Sequence, residues 1–181
     1  MSKFFIIFLA LGCFNNVLLI KKQRQMVFRH VTCIAQSDIV KHSGCDVRVL
    51  PDECAGLNVM FELNSELAVS ADVQVLLNYR LINGTKVVRF LNMKTKVCDM
   101  LVHVPTVSFV KIILNGLARH SNLPLSCPVR KNIMYNITDL PLSASMWPPY
   151  MPLVHFNFTL NFTDKQKPLF FFHLQAAVVS K

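Results

Sequence analysis

The stretch Val154-His155-Phe156-Asn157-Phe158-Thr159-Leu160-Asn161-Phe162-Thr163 alternates apolar and polar side chains from end to end. Successive side chains of a strand point to opposite faces, so Val154, Phe156, Phe158, Leu160 and Phe162 fall on one side and the polar set on the other. Asn157 and Asn161 each open an Asn-x-Thr triplet, the acceptor for an N-linked glycan. A glycan must face water, so the acceptors stand where a sheet with one buried face needs its polar residues. A one-residue slip would bury both amides and expose the apolar set. The stretch therefore predicts a strand with Phe inward and Asn outward.

The same period recurs upstream. Leu57, Val59, Phe61 and Leu63 alternate over residues 57–63, and Val73, Val75, Leu77, Tyr79 and Leu81 over residues 73–81. Asn83-Gly84 follows, and the extended pattern resumes over 87–93, which predicts a hairpin with positive φ at its corner. Residues 107–120 differ: behind Pro105 and Thr106, Val110, Ile113, Leu114 and Leu117 recur at helical spacing. Residues 132–138 predict a short strand. Residues 141–152, with their prolines, predict an extended loop, and the nearly continuous apolar run 169–179 a strand packed on both faces. Short strands, turn signals and one short amphipathic helix predict a mainly β fold, a two-layer antiparallel β-sandwich of the immunoglobulin-like kind.

A chain of 181 residues that is 52% hydrophobic and 16% charged has the length of one domain and enough apolar surface to fold. Met1-Ser2-Lys3 followed by the apolar run 4–14 has the length of a secretory leader, shorter than a membrane span. The leader is expected over residues 1–20, with cleavage between 12 and 20, and a single domain over 21–181. An uncleaved anchor over 4–20 would place Asn15 and Asn16 in hydrocarbon, which disfavours it. No other apolar stretch approaches a span, so the expected location is secreted and extracellular.

Beyond Cys13 in the leader stand Cys33, Cys45, Cys54, Cys98 and Cys127. An odd number in an oxidising compartment leaves at most two internal disulfides and one thiol that is free or bonded to another chain. None forms a CxxC pair, which argues against zinc or redox chemistry. Glycan triplets begin at Asn83, Asn136, Asn157 and Asn161.

The net charge of +9 is scattered apart from Lys21, Lys22 and Arg24, and no basic run is interleaved with aromatics, so nucleic acid is not an expected partner. GxSxG, HExxH, GxxxxGK and GxGxxG are all absent. The histidines are isolated and Asp52-Glu53 reads as a solvated turn. No enzyme, metal or cofactor is expected. Phe156, Phe158, Phe162, Phe170, Phe171 and Phe172 crowd the C-terminal part. Core packing accounts for them; the alternative is the lining of an apolar cavity.

The run Asn122-Leu123-Pro124-Leu125-Ser126-Cys127-Pro128 stands in order with Asn83-Gly84, Cys98 near Leu101, the preceding helix, Tyr135 and Leu140-Pro141. In these marks the chain resembles a large insect family of secreted proteins bearing a domain of unknown function, which includes the chemosensory CheB proteins. That family is distantly similar to the ganglioside-activator and related lipid-recognition proteins, sandwiches that hold a lipid between their sheets. The resemblance implies a pocket for a lipid, hydrocarbon or pheromone-like molecule, with Trp147, Phe156, Phe158 and Phe162 as candidate wall residues, and a chemosensory role. It also implies a Cys98–Cys127 disulfide. Cys33 with Cys45 is then the remaining short cross-connection, and Cys54 the thiol left over. A solid sandwich that binds another protein is the alternative.

Overall fold

The computed structural model describes residues 24–50, 55–103, 108–124, 126–144 and 152–180; the expected leader, Cys54 and Trp147 lie outside them. In chain order the elements are β1 (Arg24–Ala35), β2 (Val40–Val49), β3 (Ala55–Leu63), β4 (Asp72–Leu81), β5 (Val88–Lys96), α1 (Val97–Val102), α2 (Ser108–His120), β6 (Met134–Leu142), β7 (Val154–Asp164) and β8 (Lys167–Ser180). They form two sheets, one ordered β1-β8-β7-β4-β5 and one ordered β2-β3-β6. Every pairing is antiparallel. The protein is a two-layer antiparallel β-sandwich.

Alternation decides which side chains meet between the layers. Val73, Val75 and Leu77 of β4 lie beside Phe162, Leu160 and Phe158 of β7, which in turn pair with Phe170, Phe172 and Leu174 of β8. These residues and Leu57, Val59, Leu140 and Leu142 of the smaller sheet belong to or pack on one apolar core. On the outer face, Asn157 is exposed and Asn161 half-buried, while Phe156 and Phe158 are buried.

The smaller sheet is two strands narrower, and helices complete its layer. α1 follows β5 without a break, and α2 packs on β6. Two disulfides hold this arrangement. Cys33–Cys45 joins the edge strands β1 and β2 of the two sheets. Cys98–Cys127 ties α1 to the chain beyond α2. Either one therefore closes a side of the sandwich that strand hydrogen bonds do not reach.

Several local expectations change. The corner at Asn83-Gly84 has no positive φ. Instead Gly84 N donates to Leu81 O at 3.0 Å, and residues 84–87, outside any helix or strand, lead on to β5. The longer connection removes the need for the tight turn that requires positive φ. That geometry occurs between β7 and β8, where Lys165 (φ 46) and Gln166 (φ 68) bridge the paired residues Asp164 and Lys167. Among the described residues there are two helices where one was expected, since α1 is too short to show a period. β6 runs on through Pro141, opposite Gly56, so the first two residues of the expected loop are strand, and residues 145–151 of it lie outside the described residues. Proline is tolerated there because β6 is an edge strand. β8 buries its inner face, while on its outer face Ala177 is buried but Phe171, His173, Gln175 and Val179 are only half-buried, since among the described residues no second layer covers them.

Candidate ligand cavity between the sheets

The inner faces of the two sheets do not close on each other completely. An apolar cavity of ≈ 210 Å³ lies between them and the helices, and every side chain lining it is apolar. β7 and β8 supply Phe158, Phe162, Phe170 and Phe172. α2 supplies the face predicted from its spacing, Val110, Ile113, Leu114 and Leu117, and α1 adds Met100 and Leu101.

Bulky rings hold the layers apart. Phe162 stands 5.9 Å from Phe170 between centroids, Phe170 6.4 Å from Phe61 of β3, and Phe61 5.3 Å from Tyr135 of β6. This row of rings crosses from the larger sheet to the smaller one, and Phe158 meets Phe172 edge-on at 6.2 Å beside it. The hydroxyl of Tyr135 accepts from Arg130 N at 3.0 Å and donates to Arg130 O at 3.3 Å. The only polar tip in the row is thereby satisfied, and the ring is free to pack as an apolar group.

Charge stays outside. Lys41 pairs with Glu62, Arg48 with Asp139, and Lys94 and Lys96 both with Asp72, all at the surface. The Arg48 guanidinium holds the Asp139 carboxyl below the usual carboxylate range, and Lys96 and Lys94 do the same for Asp72. None of these residues lines the cavity. Such an arrangement can take an apolar guest without an ionic anchor.

Of the wall candidates, Phe158 and Phe162 line the cavity. Phe156 is buried farther along β7 and does not, and Trp147 lies outside the described residues. The spacing along the sequence contains the helix face but cannot place it on the same cavity as Phe158, because that placement depends on how the layers stack. Asn83, Asn136 and Asn157 are exposed and Asn161 half-exposed. Among the described residues no group of His, Cys, Asp or Glu could hold a metal ion. No helix among them is long and apolar enough to cross a membrane.

Fold and cavity define the class: an antiparallel β-sandwich with an apolar cavity between its sheets and helices. Residues 73–158, from the start of β4 into β7, match the model of a family described as a protein of unknown function (DUF1091). The matched stretch contains both helices of the described residues, Cys98–Cys127 and the whole of the smaller sheet's last strand, β6. No curated protein matches the chain.

Proposed function

We propose that this protein is a secreted, glycosylated carrier that holds an apolar molecule between its sheets and performs no catalysis. The observation that supports it is the ≈ 210 Å³ cavity lined by apolar side chains alone. A void of that size in a core forfeits packing, and a guest restores it. The resemblance to insect secreted proteins that include the CheB proteins, and more distantly to ganglioside-activator sandwiches, favours a lipid, hydrocarbon or pheromone-like ligand in a chemosensory setting.

Size limits the guest. At ~30 Å³ per heavy atom the cavity takes about seven. Burying about seven methylenes contributes ~5–6 kcal/mol, comparable to the low end of the ~4–15 kcal/mol cost of association. A guest that only fills the present volume binds weakly; tight binding requires a longer chain that buries more apolar surface. Calorimetric titration with neutral n-alcohols from butanol to dodecanol measures this directly. Affinity should rise by ~0.8 kcal/mol per carbon up to about seven carbons. Native mass spectrometry and solvent extraction of protein from insect-cell medium should show a co-purified apolar molecule. No binding across the series together with nothing extracted refutes the reading, and leaves a sandwich that binds another protein through its surface.

A further inference from the structure

The outer face of the larger sheet, on the opposite side from the cavity, carries a second hollow of ≈ 230 Å³ lined by Arg29, Arg80, His155, Asn78, Asn157 and Gln175 over Tyr79, Phe156, Ala176 and Val87. Its polar residues come from four neighbouring strands. Asn78, Asn157 and Gln175 are register partners across β4, β7 and β8, and Arg80 pairs with His155 in the next row. In that row β8 presents only the methyl of Ala177 beside His155. The register shift between Phe28 and His30 leaves Arg29 as the extra residue of edge strand β1. Arg29 and Arg80 thus approach His155 from opposite sides, and both depress the charging of its imidazole, after burial itself.

We propose that this hollow binds a phosphate or sulfate group, held between the guanidinium groups of Arg29 and Arg80 with His155 at its base. Guanidinium groups bind tetrahedral oxyanions through paired N–H donors. Among the described residues neither arginine forms an ion pair, and no acidic side chain lines the hollow. Arg80 spends one donor on Gly84 O, at 3.4 Å. His155 Nδ1 is buried and has no hydrogen-bond partner. Buried polar atoms are seldom left so, and two guanidinium charges lining one hollow favour a counter-charge there. An oxyanion meets both conditions at once. The amides of Asn78, Asn157 and Gln175 add neutral donors along one wall. Asn157 also opens a glycan triplet, so a glycan there would compete with the anion for the same hollow.

The test uses the secreted protein and its Thr159→Ala variant, which abolishes that triplet while keeping the Asn157 amide. Sodium sulfate and sodium phosphate are titrated separately in low-salt buffer by calorimetry. Saturable binding of one equivalent is expected, weakened about tenfold or more by Arg29→Gln and by Arg80→Gln. Lys131→Gln, an equal charge change at an exposed residue remote in sequence, should leave affinity within about twofold. Absence of saturable binding overturns the proposal, as does equal weakening in all three charge variants. Alcohol binding in the cavity, measured on the same variants, should not change and so controls for folding. Sedimentation with phosphatidylglycerol vesicles that the two arginine variants abolish would place the group on a lipid; soluble binding without sedimentation would place it on a free anion.

Discussion

A methyl group built on Gly116 of α2 would stand 2.7 Å from Leu140 Cδ1 of β6. The absence of a side chain at Gly116 is what lets the helix lie this close to the sheet and close the cavity. Gly116→Ala brings two opposing effects. Helix propensity improves by about 1 kcal/mol, while Leu140 must move aside. Leu140 lines the cavity, so its methyl can swing into empty space. Denaturant unfolding should therefore show a stability change within about 1 kcal/mol of zero. Heptanol affinity should nevertheless fall, because the displaced side chain occupies part of the guest's volume. A loss above about 3 kcal/mol would mean that the helix itself has been pushed off the sheet.

Replacing Cys98 and Cys127 together by serine should destabilise the fold by about 3.5 kcal/mol, and replacing Cys33 and Cys45 by about 3 kcal/mol, in the chain-entropy model for loops of 29 and 12 residues. The difference in stability is small, but the functional effects should separate. Only the first pair restrains α2, so its removal should lower guest affinity measured well below the unfolding midpoint. Mass mapping of the secreted protein that finds Cys98 and Cys127 as free thiols would contradict the structure.

Phe158 is buried, lines the cavity and meets Phe172 edge-on. Phe158→Ala should cost about 3–5 kcal/mol, the usual toll for removing a core ring. It should also extend the plateau of the alcohol series to longer chains, since the cavity grows. Phe156→Ala should cost a similar amount, because Phe156 is equally buried, yet leave the plateau where it was. A plateau shifted by both substitutions would show that the two rings share one cavity.

Two histidines set a pH response. Burial, then Arg29 and Arg80, holds His155 below the ordinary histidine range; burial, then His30, does the same for His173. Above the unfolded value of ~6.5 both are neutral in either state and their contribution to stability is fully present. As pH falls through ~6.5 the unfolded chain takes up protons first, and stability declines until the lower folded-state values are reached. Tm should drop between pH ~7 and ~5, and His155→Gln with His173→Gln should flatten that decline. The depressed carboxyls of Asp72 and Asp139 act in a separate window, their contribution being lost as pH falls below ~4. A flat melting profile between pH 7 and 5 in the parent protein would refute the histidine part.

What the sequence determined by itself is the facing of each strand. In β7, parity puts Phe158 and Phe162 inward and Asn157 outward, because neighbouring side chains on an extended backbone must diverge. The spacing of Val110, Ile113 and Leu117 likewise contains the apolar face of α2 before any partner is known. Turn geometry was less legible: Lys165-Gln166 takes positive φ with no glycine or asparagine to announce it, while Asn83-Gly84 does not. β1, with its bulge, and the short α1 carry too weak a period to be read locally. The cavity and the hollow on the opposite face belong to the tertiary structure alone. Leu114 and Phe158 line one cavity, and Arg29 and His155 one hollow, only because strands far apart in the chain share one sheet and a helix lies beside it. Pairing and stacking energies act between distant residues, so alternation along one strand specifies which way a side chain points and not what it meets.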